Sequence, residues 1–225
     1  MKHSVLKTIQ TFAVAAVVLS IAHSCKKQSS PYNGDLTKNG TTNSSKFGGP
    51  QDITTPNPFN KRVGAPVDGL VGDQWIANFK KVKGYNKTYT LNNAAVQAIV
   101  SQPNCVGISL TYALDDNNNA HILPIGVDFN GKIMKSDYVS SINGNIKWAI
   151  AQQWIAKDKG AINSHFLGGS TFGRLNENPC KIIKVDYAID DKNKQQLLLS
   201  NPCVLNLNKQ YEDQAMQCPP VCPFN

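Results

Sequence analysis

Histidine and arginine are scarce in this sequence, and the common catalytic motifs are absent. Its 225 residues include four His and only two Arg, Arg62 and Arg174. No His-Glu-x-x-His, Gly-x-Ser-x-Gly or Gly-Lys-Ser/Thr phosphate loop occurs, which excludes the enzyme classes that are built on those motifs. No stripe of arginines and aromatic residues is present either, so we expect no nucleic-acid partner.

A long apolar run is also missing from the whole sequence after its first 25 residues. At the N-terminus, Lys2 and Lys7 precede a short apolar run at 12–21, and small residues come just before Cys25. This order of charge, apolar core and small residues predicts a signal peptide at 1–24. The run is shorter than the roughly 20 apolar residues that a membrane-spanning helix needs, so we expect no transmembrane helix in the mature chain.

Cys25 stands at the expected cleavage point, and its surroundings resemble the lipobox of bacterial lipoproteins. In a lipobox the Cys is lipidated, and its acyl chains hold the protein on a membrane at about 0.8 kcal/mol per buried methylene. The alternative is ordinary secretion with Cys25 as a free thiol. Lys26 and Lys27 follow Cys25 in place of the acidic residues that resemble a surface-export signal. We therefore expect an outer-membrane anchor that faces the periplasm.

The segment 25–67 is rich in Asn, Ser, Thr, Gly and Pro and has few large apolar side chains. Such a composition cannot bury enough surface to offset the entropy of ordering, so the segment is predicted to be a flexible tether. The net charge of the whole chain is +8, and it falls to about +6 when Lys2 and Lys7 leave with the signal peptide. We interpret this charge as a solvated lysine-rich surface.

Five cysteines remain for the folded part, and an export compartment favours disulfides between them. The candidates are Cys105, Cys180, Cys203, Cys218 and Cys222. Because five is odd, at least one thiol is expected to stay free or to pair with another chain. The three residues between Cys218 and Cys222 fit neither a thioredoxin-like redox motif nor a two-residue zinc knuckle. We expect the C-terminal cysteines to be linked to the body of the protein, with Cys105 or Cys180 as partners.

One stretch of the sequence occurs twice. The segments CVGISLTYALDDNNNAHIL at 105–123 and CKIIKVDYAIDDKNKQQLL at 180–198 agree at 8 of 19 positions, at an offset of 75. A second phrase, Gln-Trp-Ile-Ala, occurs at 74–77 and again at 153–156. Two phrases in the same order predict an internal repeat. The organisation that follows comprises repeat units at 68–146 and 147–211, then a Cys/Pro-rich tail at 212–225.

Each unit has patterns that are typical of two helices followed by a β-hairpin. Trp75, Ile76 and Phe79 fall on one helical face, and Asn92 or Asn93 can cap a second helix. The repeated segment then alternates apolar and polar residues, which indicates a half-buried strand, and the Asp/Asn-rich stretch after it is typical of a turn. The fold class predicted is α+β, a two-layer tandem repeat of a helix-helix-β-hairpin unit with antiparallel sheet.

The Asp pairs raise the question of a metal site. Asp115 and Asp116 precede three Asn, which would supply oxygen ligands for Ca²⁺, but the spacing, central Gly and distal Glu of an EF-hand are missing. In the second copy two of these Asn are replaced by Lys192 and Lys194, which repel cations. We therefore interpret both stretches as hairpin turns, and we expect neither a metal nor a cofactor.

These segments resemble a group of uncharacterised Bacteroidota envelope lipoproteins. The matching stretches are NCVGISLTYALDDNNN, IGVDFNGK, the His165-Phe166 pair, YAIDD and the CPPVC tail, whereas the strand start CKIIKV departs from the pattern. Together they cover most of 70–222. The resemblance implies the helix-and-hairpin fold and a location in the envelope, and it implies no activity.

Three functions fit the sequence, and no catalytic residue is assigned. We favour a non-catalytic binding or assembly module, anchored in the envelope, with an envelope protein or glycan as partner. The first alternative is a hydrolase of envelope polymers with a site between the units, near His165 and the Asp pairs; His121, the other His outside the signal peptide, lies in the other unit at a non-equivalent position. The second is a periplasmic inhibitor or immunity-type protein.

Overall fold

Two antiparallel β-hairpins, each with a turn that begins at an Asp, form the centre of the fold. The structure is a computed structural model, and it describes residues 57–141, 144–204, 209–213, 215–219 and 221–223. The predicted signal peptide, Cys25 and most of the predicted tether lie outside the described residues. None of the helices in the described ranges is long and apolar enough to cross a membrane.

The described residues form four helices and eleven strands, in an order that places each hairpin after two helices. The strands are β1 Ala65–Asp68, β2 Thr88–Asn92, β3 Cys105–Leu114, β4 Ala120–Asp128, β5 Tyr138–Ser141, β6 Gly144–Lys147, β7 Ser164–Gly168, β8 Ile182–Ile189, β9 Gln195–Ser200, β10 Gln210–Asp213 and β11 Met216–Cys218. The helices are α1 Gly69–Lys83, α2 Asn93–Val100, α3 Trp148–Lys157 and α4 Gly169–Leu175.

The strands pair antiparallel throughout, which confirms the α+β class. One sheet, sheet A, has the order β1-β10-β9-β8-β2, and a second, sheet B, has the order β11-β7-β3-β4. Strands β5 and β6 form a separate two-stranded ribbon, and β5 lies beside β4. Each hairpin, β3–β4 or β8–β9, therefore lies inside a wider sheet.

Each hairpin pairs with a strand that belongs to the other predicted unit. Strand β2 precedes the first hairpin in the chain, yet it pairs with β8 of the second, in the register Thr88 to Asp186. Strand β7 precedes the second hairpin and pairs with β3 of the first, in the register Thr111 to Ser164. The segments 68–146 and 147–211 are thus interlaced by exchanged strands.

The layers differ from the two-layer prediction because both faces of each hairpin are buried. The inner faces of sheets A and B meet in one core, to which α2 and α4 contribute Val96, Phe172 and Leu175. Helix α1 covers the outer face of sheet A, and α3 covers the outer face of sheet B. Each large apolar side chain buried in this way stabilises the fold by about 1.5–3 kcal/mol.

The helix starts follow their capping residues. The carboxylate of Asp68 accepts hydrogen bonds from the backbone N–H groups of Leu70 and Val71 at the start of α1. The side chain of Asn92 accepts one from the N–H of Ala95, which confirms the capping role predicted for Asn92. Helix α1 ends at Gly84, whose positive φ of 80° suits a residue without a Cβ.

Residues 57–67, the end of the predicted tether, pack onto the body, so the tether prediction was wrong for them. Phe59 is buried against Phe166, with ring centroids 5.2 Å apart. The carbonyl of Val63 accepts a hydrogen bond from the N–H of Gly168, and β1 pairs with β10. The Phe59 ring, the carbonyl of Val63 and strand β1 therefore connect this segment to the body.

The cysteines pair differently from the predicted link between tail and body. Cys180 bonds to Cys203, and Cys218 bonds to Cys222, whereas Cys105 is a free, buried thiol. Disulfides are confirmed, but the expected bond from a tail cysteine to Cys105 or Cys180 was wrong. The tail is held instead by β11, which pairs with β7 through backbone hydrogen bonds.

Candidate functional site

The repeated Tyr residues, Tyr112 and Tyr187, meet where the two sheets face each other. Each is the first residue of the phrase Tyr-Ala-x-Asp-Asp in its hairpin, and each points from its strand into the shared core. Their rings stack, with centroids 5.9 Å apart and planes at 28°. Tyr89 of β2 lies 6.0 Å from the ring of Tyr187, because the exchanged strand places it there.

A cleft of about 310 Å³ opens beside these rings, and we call it the tyrosine cleft. Its functional side chains are Tyr112, Tyr187, Lys87, Asp158, His121 and Gln195. The phenol oxygen of Tyr112 accepts a weak hydrogen bond, 3.4 Å long, from the side-chain amide of Gln195. Burial raises the pKa of Tyr89 to about 12 and raises the pKa values of Tyr112 and Tyr187, so all three phenols are neutral at physiological pH.

Lys87 is the cation of the tyrosine cleft. Its ammonium lies 4.7 Å from the ring centroid of Tyr187 and 5.6 Å from that of Tyr89, within the range of cation–π attraction. Partial burial lowers the pKa of Lys87, and the charge of Asp158 opposes that shift. The cleft therefore offers aromatic faces, one cation and one carboxylate side by side.

His121 lines the cleft but is held by its neighbours. Its Nε2 lies 3.2 Å from Oδ2 of Asp115, and its ring stacks on the indole of Trp154 at 4.8 Å. The hydrogen bonds that Asp115 accepts hold the pKa of its carboxyl well below the usual range, and the bond from the Asn119 side chain has the largest effect. Burial acts in the opposite direction. The other ring nitrogen of His121 is buried, with no hydrogen-bond partner among the described residues.

The first Asp of each pair binds its own turn. Oδ1 of Asp115 accepts hydrogen bonds from the N–H groups of Asn117 and Asn119, each 2.8 Å long. Oδ1 of Asp190 accepts the equivalent bonds from Lys192 and Lys194, 2.9 and 2.8 Å long. These bonds lower the pKa of Asp190, against its burial. Both stretches are hairpin turns, as predicted.

Other oxygens of the Asp pairs are also engaged. Oδ2 of Asp190 accepts a 2.8 Å hydrogen bond from the side chain of Gln196, which corresponds to His121 in the other hairpin. Asp116 pairs with Lys157, and Asp191 accepts a 3.2 Å hydrogen bond from the indole N–H of Trp75. Within the described ranges, no three His, Cys, Asp or Glu side chains are grouped as a metal site would need.

His165 lies on the inner face of β7, sealed from solvent. It has no exposed surface, and its ring meets Tyr112 edge-on with centroids 5.8 Å apart. Neither ring nitrogen has a hydrogen-bond partner among the described residues, and burial lowers the pKa of His165 to about 4. The structure therefore does not present His165 and the Asp pairs together at an open surface.

Sequence patterns missed two residues of the cleft, Lys87 and Gln195, and also the ring of Tyr89 that Lys87 contacts. Lys87 and Tyr89 reach Tyr187 only because β2 pairs with the hairpin of the other unit. The one available signal was an aromatic residue in a short strand with a lysine directly before that strand.

Comparison with known protein families, with curated proteins and with solved structures gives no match to this chain.

Removing the turn carboxylates tests their structural role. We expect Asp115→Ala and Asp190→Ala each to lower the free energy of unfolding by about 2–4 kcal/mol, because each loses several hydrogen bonds to a charged acceptor. Asp116→Ala, the matched control, loses only an exposed ion pair and is expected to cost about 0–1 kcal/mol. Urea unfolding with and without CaCl₂ measures these values. A calcium-dependent gain in stability that Asp115→Ala abolishes would support a metal site instead.

His165 is expected to make the fold sensitive to mild acid. Its pKa is about 4 when folded, against 6.5 in a free side chain, so the unfolded chain binds the proton first as the pH falls. The contribution of neutral His165 to the free energy of unfolding is complete above pH 6.5. It falls by about 1.4 kcal/mol per pH unit as the pH is lowered, and about 3 kcal/mol is lost by pH 4. Urea unfolding at pH 4–7 measures this loss.

His165→Phe should remove that share of the pH dependence, because the ring remains and the titrating group does not. His121→Gln is the control, since it copies Gln196 of the other hairpin and leaves His165 in place. An unchanged pH profile in His165→Phe would show that other groups cause the acid sensitivity.

Proposed function

We propose that this protein is a lipid-anchored binding or assembly module of the bacterial cell envelope, which recognises its partner at the tyrosine cleft. The observation that carries the proposal is the cleft itself, with Tyr112, Tyr187, Lys87 and Asp158 around one opening. Neutral phenols, a lysine and a carboxylate are groups that bind a polar partner surface. His121 and Asp115, the side chains that could do acid–base chemistry, are hydrogen-bonded to each other and buried.

The chain is further proposed to be an internal duplication of a helix-helix-β-hairpin unit. In support, the two turns have the same hydrogen bonds, and Asn118 and Asn193 both adopt a positive φ, of 62° and 58°. The outer faces of the two sheets also correspond. Ala113 and Leu123 pack under Trp154 on sheet B, as Ala188 and Leu198 pack under Trp75 on sheet A.

Duplication explains why the cleft lies where it does. Tyr112 and Tyr187 occupy the same position in the two units. An approximate twofold axis that relates the units would therefore pass between these two residues. Around this pair the copies differ: His165 occupies in β7 the register position that Tyr89 occupies in β2. His165 is sealed from solvent, whereas Tyr89 is partly exposed and packs against Tyr187.

The anchor is tested by replacing Cys25. We expect the wild-type protein to incorporate labelled palmitate and to partition into the detergent phase, because acyl chains on Cys25 insert into the membrane. Cys25→Ser should lose at least nine-tenths of both signals. Membrane association and labelling that persist in Cys25→Ser would overturn the anchor at this residue.

The cleft is tested by reversing the charge of Lys87. Protein cross-linked in native envelopes is purified, and its partners are quantified by mass spectrometry. We expect Lys87→Glu to reduce the yield of a stoichiometric partner at least tenfold, because the new carboxylate faces Asp158 and the π faces of two tyrosines. Lys132→Glu, which makes the same charge change on the exposed turn after β4, should leave the yield unchanged.

The outcome separates the three functions. Equal partner yields for the two variants, with their melting temperatures unchanged, would remove the cleft from recognition. A single enzyme as the partner, inhibited by the purified protein, would identify an inhibitor or immunity protein. Turnover of envelope polymers by the purified protein would replace the proposal with the hydrolase.

A further inference from the structure

A second cavity, of about 410 Å³, opens on the outer face of sheet B. It lies between β3, helix α3 and the C-terminal loop that the Cys218–Cys222 disulfide closes. We call it the disulfide pocket, and its defining residues are Ser109, Thr111, Trp148, Ile155, Asn163 and Cys222. Among the described residues, none lines both this pocket and the tyrosine cleft.

Small hydroxyl side chains form the floor of the disulfide pocket. Ser109 and Thr111 are buried neighbours on the outer face of β3, and their hydroxyl oxygens are 3.1 Å apart. Ser164 of β7 stands beside Thr111 in the register of sheet B and is also buried. Each hydroxyl can donate one hydrogen bond and accept others, so the floor can bond to a ligand with hydroxyl groups of its own.

The walls combine apolar surface with neutral amides. Trp148 and Ile155 of α3 supply aromatic and aliphatic surface, and Cys222 closes the opposite side. The exposed side chains of Gln152 and Asn163 stand at the rim. In a chain of net charge +8, no Lys, Arg, His, Asp or Glu belongs to the described lining of this pocket.

The same register positions of the other hairpin hold charges instead. Lys184 and Asp186 of β8 stand where β3 has Ser109 and Thr111, and their side chains form an ion pair at 2.9 Å. Beside them on α1, Asp73 binds Lys209 at 2.7 Å and the phenol of Tyr211 at 2.6 Å. Charged side chains thus fill this place on sheet A, whereas the corresponding place on sheet B is open and neutral.

We propose that the disulfide pocket binds a neutral sugar of one or two rings. A sugar ring presents an apolar C–H face that suits the surface of Trp148, and hydroxyls that match those of Ser109 and Thr111. A charged ligand would enter without a counter-charge, which is costly at a partly buried site. The volume is in the range of small-molecule pockets. This site goes beyond partner recognition at the tyrosine cleft and does not depend on it.

The test is a titration of the full mature chain carrying Cys25→Ser, which is free of lipid. The neutral probes are cellobiose and di-N-acetylchitobiose, and the charged probe is digalacturonic acid. Binding is followed by calorimetry and by tryptophan fluorescence. We expect saturable 1:1 binding of at least one neutral probe, and at least tenfold weaker binding of the charged probe.

A matched pair of helix variants locates the site. Ala156 lies on the exposed side of α3 at the rim of the pocket, and Ala77 is the same residue of the repeated Gln-Trp-Ile-Ala phrase on α1. Ala156→Trp places an indole at the mouth and should weaken binding at least tenfold, whereas Ala77→Trp should leave it unchanged. Asn163→Ala, a smaller change at the rim, should weaken it about threefold to tenfold, which is a loss of about 0.7–1.4 kcal/mol.

Three results would overturn the proposal. They are the absence of saturable binding of either neutral probe by folded protein, an equal loss of affinity in Ala156→Trp and Ala77→Trp, and tighter binding of the charged probe than of the neutral probes. Lys87→Glu is carried through the same titration and should bind the sugar as the wild type does. A failure of the tyrosine cleft in envelope cross-linking is thereby distinguished from a failure of the disulfide pocket.

Discussion

The pairing of β2 with β8, and of β3 with β7, is the constraint on which the rest of the structure depends. These two exchanged pairings bring the inner faces of the sheets together, so Ile108 and Leu110 of one hairpin share a core with Ile183 and Val185 of the other. The burial of that core is the main favourable term in the stability of the fold. The stacking of Tyr112 on Tyr187, and the position of Lys87 over Tyr187, follow from the same pairings.

The outer faces of sheets A and B differ in chemistry although the two hairpins have the same arrangement of strands. Under α1, the ion pair of Lys184 and Asp186 lies close to the bonds that Asp73 makes. Under α3, Ser109 and Thr111 leave space. Charged residues that fill a partly buried face must be paired, which restricts them to one arrangement. Hydroxyl residues at the same positions can hydrogen-bond to each other, to water or to a ligand.

Local features of this fold were predictable from the sequence because they depend on near neighbours. Alternating polarity at 105–114 and 182–189 predicted the hairpin strands, and Asp115 and Asp190 form their hydrogen bonds within their own hairpins. Asn92 as a helix cap is equally local.

The partner of each strand was not predictable. Strand periodicity shows which side chains share a face, but it gives no information on which strand lies alongside. The tyrosine cleft and the disulfide pocket depend on that choice, and so they appear only in the structure. The pairing of Cys180 with Cys203 is likewise a matter of loop proximity that spacing does not reveal.

The exchanged strands also set an order in which the chain can become structured. Strand β2 is synthesised about ninety residues before its partner β8, and β1 waits longer still for β10. Until those partners emerge, β1 and β2 have no strand to pair with. Long-range pairing of this kind slows folding. The last strands of the chain therefore decide when the first ones can be ordered, so loss of β10 would leave β1 unpaired although its own residues are intact.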